Sequence, residues 1–241
     1  MAVLEVRGLR KSYGSLEAVK GISFEVERGE VFALIGPNGA GKTTTLRMIA
    51  TILRPDGGTV TLDGIDLVSN PERARERISY LPEEAGAYRN MTGEGYLRFM
   101  ADILVPDAQR REEALARART IAGLGERLRS KVGTYSKGMA RKLLLARAIM
   151  TLPSLAILDE PTSGLDVMNA LEIRTTIRNA AAEGMSVLLS SHNMLEIEFL
   201  SDRVAIIHKG SIRATGAPAE LKQAYDARNL EEVFAKVVAA E

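Results

Sequence analysis

Residues Gly36-Pro37-Asn38-Gly39-Ala40-Gly41-Lys42-Thr43 fit the spacing G-x-x-x-x-G-K-[ST], a loop that cradles phosphates. Glycines let backbone N–H groups turn inward and approach phosphate oxygens closely. Lys42 brings a full charge to the outer phosphates, and Thr43 offers a hydroxyl to Mg²⁺. Four fixed positions recur by chance in about one chain in a hundred of this size, so the setting decides. An apolar run at 31–35 precedes the loop and a helix-like stretch at 43–52 follows it. Strand, glycine loop and helix together make a binding site, and the helix N-terminus adds its positive dipole end. The expected nucleotide-contacting set is Gly36, Pro37, Asn38, Gly39, Ala40, Gly41, Lys42, Thr43 and Thr44.

A second apolar run, Leu155-Ala156-Ile157-Leu158, ends in Asp159 and Glu160. Beside a phosphate loop this is the Walker B pattern. The first carboxylate holds Mg²⁺, directly or through water; the second polarises an attacking water. The competing explanation is a strand followed by a solvated turn at Pro161, and the glycine loop weighs against it. A third run, Val187-Leu188-Leu189-Ser190, is followed by Ser191 and His192. Lys42, Asp159, Glu160 and His192 thus all follow the carboxyl ends of strands, the edge at which open α/β sheets bind ligands. A lone histidine is usually structural; this placement favours a role on the γ-phosphate. His208 begins a His-Lys-Gly turn and is assigned no role.

The segment Tyr135-Ser136-Lys137-Gly138-Met139 opens another helix. Ser136 is suited to cap it and Gly138 keeps first-turn N–H groups accessible. One phosphate loop and one separate anion site suggest a head-to-tail dimer in which each copy completes the other's pocket. An ordinary capped core helix explains Ser136 equally well, so these residues alone leave the two readings level.

The elements that position these groups alternate along the chain. Strand-like segments lie at 3–6, 22–26, 31–35, 60–62, 78–81, 155–158, 187–190 and 204–207; helix-like segments lie at 43–52, 92–104, 108–122, 136–150, 167–182 and 194–199. The alternation predicts an α/β fold with a mostly parallel sheet, and the closely spaced first strands, without helices between them, predict an N-terminal antiparallel β layer. With the glycine loop this is the expectation of a P-loop NTPase core carrying a helical insert. The stretch 84–150 is expected to be almost entirely helical, an insert within one domain spanning 1–241, and the tail after Ala217 to form two short helices. Of the 241 residues 46% are hydrophobic, enough for a core, and the net charge of +1 leaves no electrostatic footprint for nucleic acid. The absence of cysteine excludes disulfides, thiolate metal sites and cysteine nucleophiles. The stretch 1–11 lacks the apolar core of a signal peptide, and no run of about 18 apolar residues occurs, so a cytoplasmic location is expected, with any membrane part supplied by a partner. Glutamates interleave with the arginine-rich stretches at 73–77 and 110–131, as on solvated helix faces.

In their order these motifs resemble the ATP-binding subunit of an ABC transporter over nearly the whole chain. Tyr135 to Met139 stands where that family has Leu-Ser-Gly-Gly-Gln. Ser163-Gly164-Leu165-Asp166 matches its D-loop, which contacts the opposite subunit; Glu160 matches the catalytic glutamate and His192 the switch histidine. Tyr13 falls where the family stacks an aromatic ring on adenine; the plainer alternative is a half-buried strand residue. The resemblance implies ATP and Mg²⁺ as ligands, with Thr43, Glu83 and Asp159 towards the metal and Ser136, Gly138 and Asp166 completing the nucleotide site across a homodimer or heterodimer. It also implies an integral membrane permease as partner and a place on the cytoplasmic face of the cell membrane.

Two positions depart from the family pattern. The signature keeps only Ser136 and Gly138, the positions that contact γ-phosphate in the family, and Glu83 stands where the Q-loop glutamine is expected. Both departures, and the short tail through Leu230-Glu231-Glu232-Val233-Phe234, are similar to those of type-2 ABC exporters. The expected function is ATP hydrolysis driving export. The alternatives are a soluble ABC-type ATPase acting on ribosomes or DNA, and a non-transport gating subunit. A single cassette argues against the ribosomal kind, the short gap from Lys42 to Ser136 against the DNA-repair kind, and the lack of an Asn-Lys-x-Asp motif against a GTPase.

Overall fold

The computed structural model describes residues 2–239. In chain order its elements are β1 (Ala2–Tyr13), β2 (Leu16–Glu27), β3 (Val31–Ile35), α1 (Lys42–Ile49), β4 (Gly57–Leu62), β5 (Ile65–Asp66), α2 (Pro71–Arg75), β6 (Ile78–Leu81), α3 (Gly93–Leu104), α4 (Ala108–Ala122), α5 (Lys137–Ile149), β7 (Leu155–Asp159), α6 (Val167–Ala182), β8 (Ser186–Ser191), α7 (Met194–Leu200), β9 (Arg203–His208), β10 (Ser211–Gly216), α8 (Pro218–Ala224) and α9 (Leu230–Ala239). Two 3-10 turns, Gly125–Arg129 and Val132–Thr134, lead into α5.

Five of six strands in the larger sheet are parallel. Its order is β10-β9-β3-β8-β7-β6, with β10 alone antiparallel to its neighbour. The smaller sheet, β2-β1-β4-β5, is antiparallel throughout. The five residues of β3 are all buried because both faces of the strand are covered. Alternate side chains serve different cores. Phe32 and Leu34 join Leu46, Ile49, Ile157 and Leu188 beneath the antiparallel sheet, where Phe24 and Phe32 stack at 5.2 Å. Val31, Ala33 and Ile35 join the core built with the helices, including Leu143 and Leu145 of α5 and Ile173 and Ile177 of α6. β3 is therefore rigid on both sides, and the loop leaving its carboxyl end is held by two cores at once.

The mostly parallel sheet, the antiparallel layer and the tail helices agree with expectation, and α4 and α6 have the predicted bounds. The predicted starts at Thr92 and Ser136 fall one residue before α3 and α5. Both residues are N-caps, accepting backbone N–H bonds from Gly95 and Met139. The stretch 84–150 is less helical than predicted. Segment 84–91 is a loop that pairs with the 3-10 region instead: Val132 N–H donates to Met91 O and Gly133 N–H to Arg89 O. α1 stops at Ile49 rather than 52, because Thr51 takes a left-handed conformation with φ 59°. Three elements escaped prediction: β5 and α2 are short, and the edge strand β10 is only part-buried. β1 and β2 run further than predicted, into a solvent-facing hairpin end whose residues have no apolar alternation.

Candidate functional site

The glycine loop is wedged between neighbouring strands. A Cβ on Gly36 would lie 2.2 Å from the backbone oxygen of Ile207 in β9, and one on Gly41 would lie 2.6 Å from Ala18 O in β2. Gly41, at φ 105°, is also the N-cap residue of α1, so no side chain caps the helix. The first-turn amides of Lys42, Thr43 and Thr44 are thus free of any side-chain cap, the arrangement that receives an anion. We expect Gly36→Ala to lower folding stability by about 1–3 kcal/mol, since the obstacle is backbone that cannot rotate away. An unchanged denaturation midpoint would show that the loop does not approach β9 so closely.

Lys42 is buried and its Nζ donates to Gly36 O at 2.7 Å and Pro37 O at 3.2 Å. Glu160 Oε1 lies 3.7 Å from the same nitrogen. Burial lowers the Lys42 pKa from its ordinary value, and the carboxylates of Glu160 and Asp159 act against that.

Asp159 ends β7 with its carboxylate buried. Its Oδ1 accepts from Ser190 at 2.5 Å and from Thr43 at 3.2 Å; its Oδ2 accepts from Tyr80 at 3.4 Å. Burial, then Asp159, raise the Tyr80 pKa, so the phenol keeps its proton and donates. Ser190 also accepts the Glu160 N–H at 3.1 Å. Sequence reasoning missed Ser190 and Tyr80. The available signal was a polar residue near the carboxyl end of an otherwise apolar strand beside β7.

Glu160 has φ 47°, the left-handed region that few non-glycine residues occupy. That turn leads the chain out of β7 and brings the Glu160 carboxylate within 2.9 Å of His192 Nδ1. His192 itself is half exposed, just past β8. Sheet order explains the meeting. β3 lies between β8 and β9, and β8 between β3 and β7, so the carboxyl ends of β3, β7 and β8 adjoin.

One cleft is lined by Tyr13, Leu16, Ala18, Asn38, Gly39, Ala40, Gly41, Lys42, Thr43, Thr44, Glu83 and Glu160. Tyr13 ends β1 and is half exposed there, lining the cleft. Glu83 accepts a hydrogen bond from Ser163 at 3.2 Å. A hydroxyl from Thr43, a carboxylate from Asp159 and a second carboxylate from Glu83 are hard oxygen donors of the kind Mg²⁺ takes, and the glycine cradle with buried Lys42 fits a polyphosphate.

Ser136, Gly138 and Asp166 do not line this cleft. Ser136 caps α5 and Asp166 caps α6, accepting from Asn169 N–H at 3.0 Å and from Asn169 Nδ2 at 2.6 Å. The Asn169 amide covers Gly138: a Cβ there would lie 2.3 Å from its Cγ. Lys137 Nζ reaches over Gly164, 2.2 Å from where a Cβ would stand. The two helix starts form one unit beside each other, separate from the loop cleft of their own chain.

The sequence profile described as "ABC transporter" matches residues 19–163. The chain belongs to the ABC transporter family. It is 36% identical over 219 residues to the linearmycin resistance ATP-binding protein LnrL of Bacillus subtilis (strain 168), a match covering 91% of this chain and 70% of that protein. It is 39% identical over 219 residues to the daunorubicin/doxorubicin resistance ATP-binding protein DrrA of Streptomyces peucetius, covering 91% and 66%. A solved ATP-binding subunit of an ABC transporter superposes with a TM-score of 0.87 at 32% identity, over 98% of this chain and 99% of that one. The resemblance to ATP-binding subunits of this family, most like its type-2 exporter group, holds.

Proposed function

We propose that this ABC subunit hydrolyses ATP as a head-to-tail dimer, with itself or with a related chain, and so drives export through a separate integral membrane subunit. The observation that carries this reading is the Glu160 carboxylate, 3.7 Å from Lys42 and 2.9 Å from His192 at the mouth of the glycine loop. Loop amides and Lys42 would hold the phosphates, and Thr43, Asp159 and Glu83 would hold Mg²⁺, which when bound neutralises charge on the phosphate oxygens. Glu160 takes the proton from the attacking water. His192 orients Glu160 and contacts the γ-phosphate. Ser136 and Asp166 would face the loop of the opposite copy. Gly138, expected to keep first-turn N–H groups open, is buried under the Asn169 amide and would join them only once that amide moves aside. Exposed Val167 and Met168 beside Asp166 support an interface there.

No helix among the described residues is long and apolar enough to cross a membrane. A permease partner would therefore place the subunit at the cytoplasmic face of the cell membrane. One domain would span 1–241, with a helical part at roughly 84–150 that docks on the permease. The test is to purify the chain from its native membrane, identify the membrane protein that comes with it, and measure ATP-dependent phosphate release. A permease and hydrolysis are expected; a stable soluble assembly on ribosomes or DNA would overturn the reading.

Tyr13 should stack on the adenine ring. Stacking an aromatic on a base is worth about 1–3 kcal/mol, so Tyr13→Ala should weaken ATP binding about fivefold or more while Tyr13→Phe and Tyr13→Trp hold it. Equal dissociation constants for all four proteins, by equilibrium titration, would remove Tyr13 from the site.

A further inference from the structure

Arg141 lies in α5 and is buried. Its Nε donates to Pro161 O at 2.8 Å. One terminal nitrogen donates to Pro82 O and Glu83 O, both at 3.1 Å, and the other to Asp159 O at 2.9 Å and Glu160 O at 2.7 Å. Guanidinium has five N–H donors, and all five are used on backbone carbonyls. No acceptor belongs to α5: two lie where the chain leaves β6 and three where it leaves β7. Burial lowers the Arg141 pKa from its ordinary value, and the nearby carboxylates of Glu83, Asp159 and Glu160 act against that. Carbonyls on both sides of the left-handed turn at Glu160 are gripped by one rigid, planar group, which also grips the loop carrying Glu83.

We propose that Arg141 is a positioning residue that holds the Glu160 turn, the Glu83 loop and the helix capped by Ser136 as one body, so that the three move together when the nucleotide state changes. Lysine offers three donors from a single point and cannot span two loops in this way. The inference rests on the ATPase reading above.

The test uses the full chain in its purified complex. Arg141→Lys should lower kcat about 10–100-fold, the scale of a small misplacement of a reacting group, with KM for ATP within about threefold, because the glycine loop and Tyr13 are untouched. Added to Glu160→Gln it should reduce the residual rate by clearly less than its roughly 10–100-fold effect on the wild type, since part of that effect runs through the Glu160 carboxylate. Unchanged kcat in folded Arg141→Lys overturns the proposal, as does a full multiplicative loss in the double variant. Hydrogen exchange on wild-type protein needs no variant to fold: ATP–Mg²⁺ should change protection at residues 83–85 and 160–165 together, and a change at one segment alone overturns the proposal. Wild-type protein without turnover would sink the ATPase reading as well, whereas wild-type turnover with any of these contrary results sinks only the role of Arg141.

Discussion

Glu160→Gln protein binds ATP–Mg²⁺, accumulates as a closed dimer and hydrolyses ATP about 10²–10⁴-fold more slowly than wild type, the usual loss when a general base is removed. The amide keeps the size of the side chain and one oxygen to face His192 Nδ1, now at 2.9 Å, but it cannot take a proton from water. Affinity should not fall. The carboxylate at 3.7 Å from Lys42 is a negative charge beside the place meant for phosphate, and removing it relieves repulsion. Phosphate release in single turnover and oligomer size with ATP–Mg²⁺ are the measurements. Turnover at the wild-type rate would show that Glu160 is not the base and would leave the left-handed turn without a catalytic reason.

The second large effect concerns Ser136. Ser136→Arg protein and Lys42→Ala protein should each be nearly inactive alone, and mixing them should produce heterodimers when ATP is added. The prediction follows from placement: Ser136 and Gly138 stand beside the start of α6, not in the cleft that holds Lys42 of the same chain. In a mixed dimer one pocket keeps both intact halves and the other has neither. Loss of the N-cap alone costs about 1 kcal/mol, which a control must separate from loss of the phosphate contact. Ser136→Asp supplies it, since aspartate caps as well as serine but repels phosphate. Full turnover by Ser136→Arg protein alone would rule out a shared pocket, as would Ser136→Asp at the wild-type rate.

What the sequence determined by itself is what local chemistry carries. The apolar run before Gly36, the glycine spacing and the charge of Lys42 announce a phosphate loop without reference to any distant residue. Helix bounds were legible where a cap or a stop is written locally: Asp107 and Asp166 cap α4 and α6, and Gly123 ends α4 in a left-handed conformation. The parallel middle sheet followed from apolar strands alternating with helices. Where local signal is weak the bounds slipped, as at Thr51, whose left-handed turn no glycine marks, and at 84–91, whose backbone partners lie more than 40 residues away at Val132 and Gly133.

Only the tertiary structure decided which strand ends are neighbours. Lys42, Glu160 and His192 meet because β3 and β7 flank β8, an order no local pattern contains. Ser190 and Tyr80 stand out in the sequence only as polar residues late in apolar strands; that they face Asp159 is decided by the sheet, because a hydroxyl on a strand looks the same whether it faces a carboxylate or a helix. In the sequence Arg141 is one more base in a helix, with Lys142 beside it. Five carbonyls from two distant loops make it a clasp, and carbonyls, which every residue carries alike, leave no trace in a sequence.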